Sequence, residues 1–354
     1  MHTSDIGARV RSLKGRRLLG RLATVIVTVA FSYFAIRGVD FKDTWKALQT
    51  CDYWWLIPTL ITFAIAVGLR ALRWRSLFAP GRRPGRGVVT DAMLIGYLYN
   101  NILPARAGEA ARVVVLSQRG GVRSAEVVGT VALERLYDVA AILLIFFAAE
   151  PWLPHVSWFG TAALVAVGLL AVIVVAVFVL AKYEDKPLRV LLRPLARFPL
   201  FSGERLEHTV EGLVHGLSGL RHHNVALEAL LWTLAAWLVS ALSAWLLTLA
   251  FPLHLPFASG IMVVVAVGLA QILPAPPASV GVFEGAVLIA LHAYGVSHTN
   301  ALPYALILHL TNFIPFVLVG ALVLQHNARH PVRPRAVEET VSVPLAPQST
   351  PVGP

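Results

Sequence analysis

Apolar residues run along most of this chain in blocks, with polar residues gathered in short stretches between them. A membrane-crossing helix needs about 20 mostly apolar residues. The pattern predicts six such spans, at about 22–36, 53–72, 127–149, 159–181, 229–250 and 304–324. Two further apolar stretches are interrupted. Asn100, Asn101 and Pro104 break 90–118, and Pro274, Pro276 and Pro277 break 257–292. Proline removes a helical hydrogen bond and clashes with the preceding turn. Irregular backbone at membrane depth is tolerated only where protein or a water-filled cavity surrounds it. Each interrupted stretch therefore predicts a re-entrant helical hairpin. For the second, a full span ending at 273 with an external proline-rich loop is the alternative.

Charge orients this pattern, because Lys and Arg concentrate in cytoplasmic loops. Basic residues fill 9–21, the block from Arg70 to Arg86, the segment 182–223, and Arg329, Arg333 and Arg335. Both termini are thus expected in the cytoplasm. Arg86, Arg119 and Arg123 flank the first hairpin, whereas 251–256 and 293–303 around the second hold no Lys, Arg, Asp or Glu. The first hairpin should enter from the cytoplasm and the second from outside. The expected fold is an all-α polytopic membrane protein of about six full transmembrane helices plus two re-entrant helical hairpins in an inverted-topology repeat, as in many transporters. A basic cytoplasmic segment (1–21) precedes the transmembrane domain (22–325). Repeat one covers 22–149 and repeat two 159–325, with a cytoplasmic amphipathic insert at 182–228. Leu206, Val210, Leu213, Leu217 and Leu220 give that insert helical spacing. The segment 326–354 reads as a disordered cytoplasmic tail. No cleavage site follows the first apolar run, so it reads as an uncleaved span rather than a signal peptide.

Composition agrees: 57% of the 354 residues are hydrophobic and 14% charged, against about 25% charged in soluble domains. Mean hydropathy is +0.69. The net charge of +11 lies in loop blocks, which makes it a topology signal and not a nucleic-acid surface. Cys51 is the single cysteine, which leaves no intrachain disulfide and no thiolate metal cluster. A phosphate-cradling loop, a nucleophile elbow and zinc motifs are all missing. His208, His215 and His222 recur every seven residues without companion ligands. No metal and no cofactor are expected.

The interrupted stretches carry the candidate chemistry. Ile-Leu-Pro-Ala occurs at 102–105 and again at 272–275, followed by Gly108 and Glu109 in the first copy and by Gly281 and Glu284 in the second. Pro104, Gly108, Pro274, Pro277, Ser279 and Gly281 are the expected hairpin tips, with Pro104 and Pro274 close together near mid-membrane. An ionisable residue at the centre of a membrane helix costs about 2.5–3.5 kcal/mol on insertion scales and usually marks a functional site. Asn100, Asn101, Arg106, Glu109, Arg112, Glu134, Arg135, Asp138 and Glu284 are therefore the candidate headgroup or cavity residues. Arg106, Glu109 and Arg112 are spaced to share one helical face. Internal pairing that merely fixes the packing is the alternative reading of these charges. Between Glu228 and Arg329, Glu284 is the only Lys, Arg, Asp or Glu. Either it carries a proton, or it meets Arg106 or Arg112 across the pseudo-symmetric hairpins.

The runs from Asn101 to Arg112, from Glu134 to Asp138 and from Pro277 to Glu284 resemble the lysylphosphatidylglycerol synthase transmembrane region family, also called flippase-like or YbhN-like. The resemblance covers about 20–325. Ala278-Ser279 stands where that family commonly has Gly-Gly. The resemblance implies lipid handling. In two-domain synthases the membrane part resembles a flippase for aminoacylated phosphatidylglycerol, and a separate soluble domain transfers the aminoacyl group. With a longest loop of about forty residues, this chain is expected to lack that domain and not to be an aminoacyl-transferase. Stand-alone members look like translocators or accessory proteins of glycolipid, polyprenyl-phosphate or hopanoid pathways. The expectation is translocation of a phospholipid, glycolipid or polyprenyl-phosphate-type lipid across the cytoplasmic membrane. Arg106 and Arg112 would hold a headgroup phosphate. Glu109, Glu284 and the charges of 127–149 would neutralise those arginines or bind a cationic headgroup. A membrane-embedded lipid-modifying enzyme and a scaffold for lipid synthesis are the competing readings. Expected partners are membrane lipids, anionic or phosphate-bearing, and enzymes of such a pathway, with no nucleic acid.

Overall fold

The computed structural model describes residues 40–79, 81–103, 106–154, 223–271 and 276–330, with isolated positions at 33, between 164 and 179, and at 216. Regular structure among the described residues is entirely helical. The elements are α1 (Phe41–Gln49), α2 (Leu56–Ser76), α3 (Arg86–Ile102), α4 (Ala107–Gly120), α5 (Ser124–Ala149), α6 (His223–Thr248), α7 (Phe257–Ala270), α8 (Val282–His292) and α9 (His298–Arg329). Short 3-10 turns at Tyr53–Trp55 and Pro277–Ser279 lead toward α2 and α8.

Three described segments are long and apolar enough to cross a membrane: Tyr53–Ser76, Asn224–Thr248 and His298–Arg329. They correspond to the spans expected at 53–72, 229–250 and 304–324. At 26 residues α5 has the length, but Glu126, Glu134, Arg135 and Asp138 lie along it. The interrupted stretches are helix–break–helix pairs, α3 with α4 and α7 with α8, and the members of each pair pack against each other. The spans at 22–36 and 159–181, residues 182–222 of the insert with its three spaced histidines, residues 331–354 of the tail, Pro104 and Pro274 lie outside the described residues apart from the isolated positions above. Residues 223–228 instead open α6, and 326–329, expected in a disordered tail, are the last turn of α9.

The stretch 41–49 has a charge-balanced composition that reads as loop, yet it is a helix. Asp40 caps it, accepting from the backbone N–H of Lys42 at 2.8 Å and of Asp43 at 3.3 Å. That cap satisfies amides that a helix start otherwise leaves open. Membrane helices gain little from hiding apolar surface from lipid, so close packing and polar pairs hold them together. The core shows this. Apart from Glu284 and the terminal His292, α8 is apolar, and Val282, Val287, Leu288, Ala290 and Leu291 are fully buried, placing it inside the bundle between α7 and α9. α6 lies along α2 and touches α5 and α7. Cys51 joins the same core cluster, buried beside the end of α6.

Candidate functional site

At the centre of the first half is a buried cluster of charge. The Glu134 carboxylate on α5 receives Arg73 Nη2 at 2.9 Å and Arg112 Nη1 and Nη2 at 3.1 and 2.6 Å. Arg73 also donates to Asp138 Oδ1, which accepts the Trp237 indole N–H at 3.0 Å. Arg73, Arg112 and Glu134 are no more than 2% exposed. Arg112 stacks on Trp74, its guanidinium carbon 4.0 Å from the ring centroid, an arrangement that holds a cation at low hydration cost. Nearer the surface, Arg135 pairs with Glu109 at 2.8 Å and lies 3.8 Å from Asp138. Helices α2, α4 and α5 are thus tied together through three carboxylates.

The first helix break positions these groups. Ahead of α4, Arg106 is left-handed (φ 54°, ψ 38°), a conformation non-glycine residues rarely adopt. Arg106 therefore stands outside the helix and does not share a face with Glu109 and Arg112, contrary to the spacing argument. Asn100 Oδ1 accepts the Gly108 N–H at 2.9 Å, satisfying an amide at the start of α4. Helices α3 and α4 touch through glycines. A Cβ on Gly108 would fall 1.9 Å from the Gly96 carbonyl oxygen, and one on Gly96 would fall 2.1 Å from Arg112 Cγ. The close approach is what lets Arg112 pass α3 and reach Glu134.

In the second break, Glu284 does not meet Arg106 or Arg112. Arg112 is taken by Glu134, while Glu284 Oε1 lies 2.5 Å from His309 Nδ1 and its Oε2 accepts the Gly281 N–H at 2.7 Å. His309 Nε2 lies 2.9 Å from the Ala278 carbonyl oxygen. Ala278 and Ser279 have φ of 57° and 59°, and Gly281 has 81°. The Ala-Ser pair thus occupies left-handed positions that suit the glycines common in the resembling family.

Between the two breaks lies a cavity of ≈ 260 Å³. Of the residues singled out by sequence, Asn100, Asn101, Arg106, Glu109, Glu134, Arg135, Asp138 and Ser279 line it. Arg112 and Glu284 sit behind its wall, and Gly108, Pro277 and Gly281 shape the breaks. Sequence reasoning missed Arg70, Arg73, Trp237 and His309, all on the wall. Arg70 donates to Ser240 Oγ at 2.9 Å and lies over Trp237, 5.5 Å from its centroid. Arg70 and Arg73 read as topology signals because they open the basic block at the predicted end of the span, near 72, whereas α2 runs on to Ser76. Within the same basic block Arg83 also has a structural task, pairing with Glu228 at 2.7 Å. His309 could have been found by asking which histidine shares the apolar second half with Glu284, instead of seeking only Lys or Arg.

The arrangement can hold an anion: two wall guanidinium groups, Arg70 and Arg106, form no ion pair with a carboxylate among the described residues. Comparison with known proteins accords with a membrane role. The chain is 26% identical over 322 residues to Glycosyltransferase AglD of Haloferax volcanii, covering 82% of this chain and 51% of that protein. It thus spans about half of that relative's length. It is 23% identical over 318 residues to a UPF0104 membrane protein of Methanothermobacter thermautotrophicus, covering 85% of this chain and 93% of the other. A UPF0104 membrane protein of Methanocaldococcus jannaschii is 22% identical over 228 residues, 63% of this chain and 91% of its own. The family model described as lysylphosphatidylglycerol synthase TM region matches residues 21–320, and with the apolar helices described above it makes this a membrane-embedded protein that belongs to that family.

Proposed function

We propose that this protein translocates a phosphate-bearing lipid across the cytoplasmic membrane, holding the headgroup in the cavity between the two helix breaks. The observation that carries the reading is the pair Arg70 and Arg106, on the cavity wall with no carboxylate partner among the described residues. Guanidinium binds phosphate oxygens through charge-assisted hydrogen bonds. The wall carboxylates Glu109, Glu134 and Asp138 are each already held by arginine. A cationic aminoacyl headgroup would find no free carboxylate there among the described residues, so the substrate is anionic. Asn101 and Gln271 on the same wall offer amides to the uncharged part of a headgroup, which suits a phospholipid, a glycolipid or a polyprenyl phosphate. In this reading the breaks are the ends of two re-entrant hairpins in an inverted repeat of six spans, and both termini are cytoplasmic. The protein moves its substrate and makes or breaks no bond.

The test is lipid scrambling or flipping in reconstituted vesicles loaded with a labelled phosphatidylglycerol or a labelled polyprenyl phosphate. Wild type should move at least one of them, and the Arg70→Ala, Arg106→Ala double variant should not. Equal rates in the two proteins would sink the mechanism. A second reading is an accessory subunit of a lipid-linked glycan pathway. It is favoured by the similarity to part of a protein named a glycosyltransferase, and retained function in vivo for the double variant would support it.

A further inference from the structure

We propose that Glu284 and His309 form a proton-binding site linked to phosphate occupancy of the cavity, so that lipid and proton are taken up together. The inference rests on the phosphate-lipid reading above. Its basis is a count of protons. The Ala278 carbonyl oxygen can only accept, so His309 Nε2, 2.9 Å away, carries a hydrogen. Glu284 Oε2 accepts from the Gly281 amide at 2.7 Å. The remaining contact, Nδ1 to Oε1 at 2.5 Å, holds a single proton, whether written as imidazolium with carboxylate or as imidazole with carboxylic acid. If that proton leaves, the Nδ1 lone pair faces a carboxylate oxygen, and the pair passes from neutral to one negative charge. The site is built for the bound proton. Phe283 stacks on the imidazole (4.6 Å between centroids, 23° between planes), Phe313 meets it edge-on, and both ring nitrogens face oxygen.

His309 is on the cavity wall, so it responds to what the cavity contains. Sharing that wall with it are Arg70 and Arg73 from α2, the Tyr97 phenol from α3, Arg106 and Glu109 at the first break, and Glu134, Arg135 and Asp138 from α5. α6 and α7 contribute no ionisable side chain to the wall, and α8 contributes only Glu284 behind it. Among the described residues four guanidinium groups thus stand against three carboxylates on the wall. That excess of positive charge favours loss of the proton while the cavity is empty. A phosphodiester cancels the excess and favours keeping it. Linkage makes the effect reciprocal: if phosphate strengthens proton binding, protons strengthen phosphate binding by the same factor. The sign follows, with lipid affinity highest in acid and falling as pH rises through the release of the pair's proton, by up to about tenfold per unit.

The experiment is calorimetric titration of the purified full chain with short-chain phosphatidylglycerol, whose phosphodiester keeps one charge throughout. Two buffers of different ionisation enthalpy give the proton count, and a pH series gives the affinity slope. Wild type should take up a fraction of a proton, approaching about one, per lipid bound. His309→Gln should bind lipid with no uptake and a flat profile near neutral pH, and Glu284→Gln, which leaves the imidazole without its carboxylate, should take up less proton per lipid with its affinity slope moved to lower pH. Binding by wild type without uptake would overturn the inference and leave the phosphate reading standing, as would uptake undiminished in both variants. Absence of binding by wild type, with short-chain phosphatidylglycerol and with a short-chain polyprenyl phosphate alike, would overturn the phosphate reading and this inference with it.

Discussion

Three guanidinium nitrogens from two arginines converge on the Glu134 carboxylate. Each arginine would be expensive to bury alone, and each is tolerated because the carboxylate is there. Removing that one charge strands buried Arg112 and leaves Arg73 with Asp138 alone. Glu134→Gln should therefore destabilise the fold by about 3–5 kcal/mol, seen as a large drop in the thermal unfolding midpoint in detergent. Conversely, Ala278 and Ser279 hold left-handed backbone that costs an L-residue roughly 1–2 kcal/mol, offset in part by the extra freedom glycine has when unfolded. Ala278→Gly should raise stability by about 0.5–1 kcal/mol, with a small upward shift in the same midpoint.

At the scale of elements, the first break depends on one side-chain cap and one close contact. Asn100→Ala removes the acceptor for the Gly108 amide and should cost about 1 kcal/mol. Gly108→Ala places a methyl group against the Gly96 carbonyl. It should cost about 1–3 kcal/mol and also loosen Arg112 from Glu134, because α3 and α4 must separate. Thermal unfolding of both variants checks the order. These elements were legible in the sequence because their signals are local: apolar run length, the prolines, and the polar residues clustered at 100–112. The pairing was not legible. Arg73 and Asp138 are 65 residues apart, and nothing in an apolar run states which distant charge it will meet. Arg106 left the expected helical face because its own backbone turns left-handed just before the helix, which spacing alone does not reveal. Glu284 found a histidine, whose ability to carry charge is easily passed over in a search for permanent cations.

For the whole molecule, what counts is that the cavity draws its walls from both halves, with Arg70 and Arg106 from the first and His309 and Ser279 from the second. These two arginines, without carboxylate partners among the described residues, are separable from those that hold the fold. Arg70→Ala and Arg106→Ala should each weaken binding of a phosphate lipid by about tenfold, since a hydrogen bond to a charged group contributes about 1.5–3 kcal/mol. Neither should shift the unfolding midpoint by more than a small fraction of the Glu134→Gln effect. Binding titrations run beside thermal melts separate the two classes.

Cys51 has a practical consequence. The single thiol of the chain is buried in the core, and burial together with neighbouring Asp52 pushes its ionisation up. Thiolate is the reactive form, so maleimide should modify the folded protein slowly and the unfolded protein at once, as intact mass will report. The natural chain is therefore already a silent background for spectroscopy. Spin labels attached at Asn101→Cys and Gln271→Cys would be the only fast-reacting probes. The distance between them would report directly how wide the chamber stands with and without lipid.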